Sequence, residues 1–146
     1  MPAPRALRFS FSRESYSQAR IRELIANAAS NVAGFAERQR DRICSVIDEL
    51  CQNAFEHGSM PGAEIGVEII FRDDEIEILV EDRGKDGALP AAEVEELFNK
   101  RRQEDPTAST SKRGRGLPRI VANWTDSVFF EDRDGGGLQV RVIKKF

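Results

Sequence analysis

The chain has 146 residues, 40% of them hydrophobic and 32% charged, enough for one domain with a real core (residues 1–146) and too few for two. A net charge of −3 gives no whole-protein reason to expect nucleic-acid binding. No run approaches the roughly 20 apolar residues of a membrane helix, and MPAPRALRFSFS lacks the apolar run of a signal peptide, so a cytoplasmic location is expected.

Residues 6–12, ALRFSFS, alternate apolar and polar as a short strand does. Ser15 with Gln18 three residues later is a capping-box pattern. Ile21, Leu24, Ile25, Ala28 and Val32 then keep the helical period, which predicts a helix over about 15–33 stopped at Gly34. A second helix, about 37–57, ends at Gly58 with Pro61 beyond it. Within it Ile43, Ile47, Leu50 and Ala54 form an apolar stripe, while Glu49, Asn53 and His57 recur every four residues on another face. Cys44 and Cys51 are two turns apart on this helix, roughly 10 Å along its axis. That is too far for a disulfide between them, so both are expected as free, buried thiols. A single His argues against a zinc site of the usual Cys/His count.

Ile65, Val67, Ile69 and Phe71 alternate, as do Ile76, Ile78 and Val80, with Arg72-Asp73-Asp74-Glu75 between them: an antiparallel hairpin that delivers Glu81 and Asp82 to its end. After Pro90, AAEVEELF reads as a short acidic-faced helix. Residues 100–113, KRRQEDPTASTSKR, are polar and predict a mobile loop. Its Lys100-Arg101-Arg102 cluster lacks the aromatic partners of a nucleic-acid patch. Gly116 to Trp124 reads as a helix that tolerates Pro118 in its first turn. Val128 and Phe130, then Leu138, Val140 and Val142, alternate around Asp134-Gly135-Gly136-Gly137 as a closing hairpin. Helices grouped on one face of a mixed, largely antiparallel sheet predict an α/β two-layer sandwich.

Three stretches carry chemistry. Mg²⁺ prefers oxygen ligands and takes few from a protein, and the Asn53 amide suits it; Glu49, one turn away, is placed to accept a proton. Asp82 at a strand end suits an exocyclic amine such as adenine's, with Gly84 letting the backbone approach the base. Gly114-Arg115-Gly116 before a helix offers N–H groups and a positive helix end to phosphate, with Lys112, Arg113 and Arg115 beside it. Neither the P-loop nor the dinucleotide fingerprint is present. Alone, each stretch is weak: a solvated helix face, a turn, a glycine-rich loop. His57 as a catalytic base is a lesser candidate, since a residue at a helix end more often packs or caps.

In this order the three resemble the motifs of the GHKL, or Bergerat-fold, ATPase superfamily. Glu49-Leu-Cys-Gln-Asn53-Ala-Phe-Glu-His57 looks like its N box, Asp82-Arg83-Gly84 its first glycine box, and Gly114-Arg115-Gly116-Leu117 its second. The small size and the Glu-x-x-x-Asn-Ala-x-x-His form are most similar to the anti-sigma-factor serine/threonine kinases. Sensor histidine kinases usually lack a carboxylate at the Glu49 position and need a phosphoacceptor helix pair. The resemblance implies the Bergerat fold, with ATP and Mg²⁺ as cofactors. It implies a kinase that holds a sigma factor inactive and phosphorylates a STAS-type anti-anti-sigma protein, commonly as a homodimer, with no direct nucleic-acid or membrane partner. It implies Glu49 as base, Asn53 as Mg²⁺ ligand and Asp82 as adenine reader. Gly84, Gly87, Arg113, Gly114, Arg115, Gly116 and Leu117 would be nucleotide contacts, and about 90–113 the ATP lid. The sequence departs from the family where the second glycine of the first glycine box falls at Gly87, one position late, and in the Pro118-Arg119 helix start. An alternative reading is a non-catalytic member that sequesters a sigma factor or STAS partner; another is a stand-alone ATPase or histidine-kinase-like module.

Overall fold

Alternating side chains build a five-stranded sheet from β1 (Arg5–Ser12), β2 (Glu64–Phe71), β3 (Glu75–Glu81), β4 (Ser127–Asp132) and β5 (Leu138–Lys145). In the computed structural model, which describes residues 5–18, 20–33, 37–103 and 124–146, the strand order is β1-β2-β3-β5-β4 and neighbouring strands are antiparallel. The β2–β3 hairpin has the register that its apolar pattern requires, with Val67 opposite Val80, Ile69 opposite Ile78 and Phe71 opposite Ile76. A slip of one residue would turn that whole set away from the core.

Over this sheet lie α1 (Arg13–Gln18), α2 (Ile21–Ala33) and α3 (Glu37–Asn53), which runs on into a π-helical turn, Ala54–Gly58. The apolar stripe of α3 fills the interface: Ile43, Val46 and Ile47 are fully buried with Ile69, Ile78 and Val142 of the sheet in one cluster. Each such side chain contributes about 1.5–3 kcal/mol relative to exposure. The aromatic trio Phe11, Tyr16 and Phe55 joins β1, α1 and the π turn, and Tyr16 donates to Asp48 at 2.6 Å. A fourth helix, α4 (Ala91–Gln103), follows Pro90.

Several boundaries differ from expectation. The helix expected over 15–33 is two helices, broken at Arg20, whose φ of 50° is left-handed. Its cap is Ser12 and not Ser15: Ser12 Oγ accepts the Ser15 N–H at 3.2 Å, because β1 runs straight into α1. The helix expected to end near 57 keeps α geometry only to Asn53. The helix after Pro90 extends to Gln103, so Lys100 to Gln103 are helical and not loop; the rest of the expected loop lies outside the described residues. Gly34 also lies outside them, as does the 116–124 helix up to Trp124, which is buried. The closing hairpin pairs as expected, Val128 with Val142 and Phe130 with Val140. Both cysteines are free, Cys51 fully buried and Cys44 partly so. Among the described residues no helix is long and apolar enough to cross a membrane.

Candidate functional site

Where α3 and the π turn meet the ends of β3 and β5, a cavity of about 850 Å³ opens. It brings together Asn53 and His57 from the helix, Asp82, Gly84 and Gly87 from the loop after β3, and Phe98 from α4. The site residues expected on the described part of the chain therefore converge, except Glu49, which lies one turn before Asn53 and outside the cavity lining. Arg113, Gly114, Arg115, Gly116 and Leu117 lie outside the described residues.

Asn53 is half-buried, and its Nδ2 donates to the Glu49 carbonyl at 2.8 Å. That bond commits the nitrogen and leaves Oδ1 as the acceptor on a cavity-lining residue, the hard oxygen that Mg²⁺ accepts beside phosphates and water. Glu49 is partly buried. Burial, then the charges of Asp48 and Glu56, raises its carboxyl above the ordinary carboxylate value. A carboxylate held this way binds a proton more firmly than an exposed glutamate does.

Asp82 is 4% exposed. Its Oδ1 accepts the N–H of Gly84 and that of Leu138, both at 3.0 Å. Its own N–H donates to the Leu138 carbonyl at 3.0 Å, and Arg133 Nη1 donates to its carbonyl at 2.5 Å. Burial raises its carboxyl, opposed by the Leu138 and Gly84 hydrogen bonds and by Arg133 and Lys85. With Oδ1 doubly bonded to backbone, Oδ2 is the oxygen left to receive a ligand donor. Gly84 has φ of 82°, and a Cβ there would fall 2.8 Å from the Gly137 nitrogen, so that turn needs glycine twice over. Gly87, displaced by one position in the sequence pattern, lines the cavity with φ of 81°; the shifted glycine thus serves a real left-handed turn.

His57 exposes 66% of its side chain and sits 3.8 Å from Glu56 Oε2. The Ala91 N–H, in the first turn of α4, donates to Asp132 Oδ1 at 2.8 Å, and Phe98 packs on Phe130 with centroids 5.4 Å apart; α4 is thereby fixed to β4 beside the cavity.

Sequence reasoning missed the back wall. Arg133 and Leu138 of the closing hairpin hold Asp82, and Lys85 donates to the Glu56 carbonyl at 2.8 Å at the π turn. The run Gly135-Gly136-Gly137 was the available signal: all three take positive φ, more than a plain hairpin turn demands. The glycines of the site, the Asp82 acceptor and the Asn53 oxygen fit an adenine nucleotide with Mg²⁺. The family model described as histidine kinase-like ATPase domain matches residues 11–144. No curated protein matches the chain.

Proposed function

The chain belongs to the histidine kinase-like ATPase family, matched over residues 11–144, and from that premise we propose that it is an ATP- and Mg²⁺-dependent protein serine/threonine kinase acting as an anti-sigma factor. In this reading it binds a sigma factor and phosphorylates a STAS-type anti-anti-sigma partner, so that the phosphorylation state of the second controls the release of the first. The observation that carries the kinase reading is the Glu49–Asn53 pair on α3, an amide with its nitrogen tied down and a carboxylate of raised proton affinity one turn away. Sequestration alone has no use for a base beside a metal ligand.

Asn53 Oδ1 would hold Mg²⁺, and Asp82 Oδ2 would accept the exocyclic amine of adenine. Gly84 and Gly87 would let backbone approach the base, while Arg113, Gly114, Arg115, Gly116 and Leu117 would meet the phosphates. Residues 90–113 would form the lid. Bound Mg²⁺ supplies charge neutralisation for the phosphates. Glu49 takes the proton of the partner's Ser or Thr hydroxyl as that oxygen bonds to the γ-phosphorus and ADP departs, a contribution of typically about 10²–10⁴-fold.

The test is incubation with labelled ATP, Mg²⁺ and a candidate STAS protein. Label on the partner, lost by about two orders of magnitude in Glu49→Gln while ATP still binds, is the expected result. Parental transfer by Glu49→Gln removes Glu49 as the base. A parent that binds sigma factor tightly and labels no STAS protein is a sequestering member and not a kinase.

A further inference from the structure

Gly58, the last residue of the π turn, is buried against the Asp82 carboxylate. A Cβ placed on it would fall 1.9 Å from Asp82 Oδ2, 2.3 Å from Cγ and 2.9 Å from Oδ1. The space that any side chain at 58 would occupy is therefore filled by the carboxylate. Gly58 is not among the residues of positive φ, so its own backbone would accept another residue. The need for glycine comes from Asp82.

Asp82 has no easy retreat. Its Oδ1 is held by the Gly84 and Leu138 N–H groups, and its carbonyl by Arg133. On the hairpin side a Cβ at Gly137 would fall 2.2 Å from the Asp82 carbonyl oxygen. Behind Gly58 the chain continues into Ser59, which forms a parallel bridge with Gly84, so the helix exit and the Asp82–Gly84 turn run side by side. Asp82 thus stands in a slot with a glycine on either side, one from the helix and one from the closing hairpin. The helix side of that slot is made by the π turn Ala54–Gly58, a geometry that is rare and often found at functional sites.

We infer that Gly58 is a positioning residue for base recognition, leaving the space in which the Asp82 carboxylate is held as an acceptor toward a 6-amino purine, so that preference for adenine over guanine nucleotides depends on residue 58. This rests on the adenine-reading role proposed for Asp82. A guanine base presents a carbonyl at that position, acceptor against acceptor, and a carboxylate fixed in orientation is what separates the two. A displaced carboxylate would still carry charge and would lose the geometry.

The experiment combines Gly58→Ala with Asp82→Asn and Asp82→Ala in the full chain, reading unfolding and the affinities for ATP and GTP. Gly58→Ala is expected to lower ATP affinity about tenfold or more, the loss of one well-placed hydrogen bond to a charged group, and to leave GTP affinity nearly unchanged. It should destabilise the fold when residue 82 is Asp or Asn, which share a shape, and become neutral or stabilising when residue 82 is Ala. Parental ATP affinity in Gly58→Ala, or the same stability effect in all three backgrounds, overturns the inference. If Asp82→Ala does not fold, amide exchange in Gly58→Ala decides: faster exchange at Gly84 and Leu138 supports the slot and parental protection overturns it. A parent that binds no ATP overturns the nucleotide reading itself, and the stability cycle then still decides whether Gly58 and Asp82 compete for one space.

Discussion

Asp82→Asn isolates the acceptor from the turn that carries it. Asparagine keeps the volume and can present its oxygen to the Gly84 and Leu138 N–H groups, which Asp82 Oδ1 now accepts at 3.0 Å each. The amide nitrogen then falls where Oδ2 was, and a donor faces the adenine amine. The lost interaction is a hydrogen bond to a charged acceptor, roughly 1.5–3 kcal/mol, which at 1.4 kcal/mol per decade predicts about a 10- to 150-fold loss of ATP affinity. Stability moves differently. Because Asp82 is buried and its carboxyl is raised, its contribution to folding is fully present below the unfolded pKa and is lost as pH rises through the higher folded value. Asparagine has no such loss, so at neutral pH Asp82→Asn should be about as stable as the parent or slightly more so, and the parent should gain on it as the solution is acidified. Calorimetric titration with ATP and urea unfolding at neutral and acidic pH measure both. Unchanged ATP affinity would make Asp82 a turn residue only, and a variant that unfolds at neutral pH would show that the charge, and not the shape, holds the Gly84–Leu138 turn.

Three further outcomes are expected. Burial and the nearby acids raise the Glu49 carboxyl, so the proposed phosphate transfer, with ionised Glu49 as its base, should fall on the acid side at a higher pH than an ordinary glutamate would give; a rate profile recorded with Glu49→Gln as reference checks it. Tyr16→Phe keeps the ring stack with Phe11 at 5.4 Å and removes the 2.6 Å bond to Asp48, which should cost roughly 1.5–3 kcal/mol in denaturant unfolding. ATP should slow amide exchange in α4, whose Val94, Leu97 and Phe98 line the cavity; exchange rates indifferent to ATP would separate α4 from the lid.

The strands were readable because a buried face imposes a period of two, and the pairing of Val67 with Val80 and Phe130 with Val140 followed from it. The N-box face was readable because Glu49 and Asn53 sit one turn apart on a helix whose apolar stripe is unambiguous. The break at Arg20 was not readable: its left-handed φ is adopted by a residue with no local preference for it, where its carbonyl accepts the Glu23 and Leu24 N–H groups at the start of α2. The π turn was equally hidden, since Ala54-Phe55-Glu56-His57 suits an α-helix and nothing in its residues marks the change to π geometry. The hairpin support of Asp82 joins residues far apart in sequence, Leu138 and Arg133 with Asp82, which no local pattern encodes.

The Glu49–Asn53 face of the site is held locally, within one helix. The Asn53 amide takes its orientation from the Glu49 carbonyl, so the proposed metal ligand and the proposed base share one turn of one helix and cannot drift apart without breaking that turn. Glu49 is held at a cost: a carboxyl raised by burial contributes stability only below its unfolded pKa and loses it as pH rises through its folded value. At neutral pH the ionised Glu49 therefore works against folding, and Glu49→Gln should leave the fold as stable or more so while it slows transfer. A residue that lowers stability where it is charged, on a helix whose other side is fully packed by Ile43, Val46 and Ile47, suits the proposed role in chemistry better than a role in the fold. If denaturant unfolding at neutral pH showed Glu49→Gln clearly less stable than the parent, Glu49 would be a structural acid, and the kinase reading would lose its base.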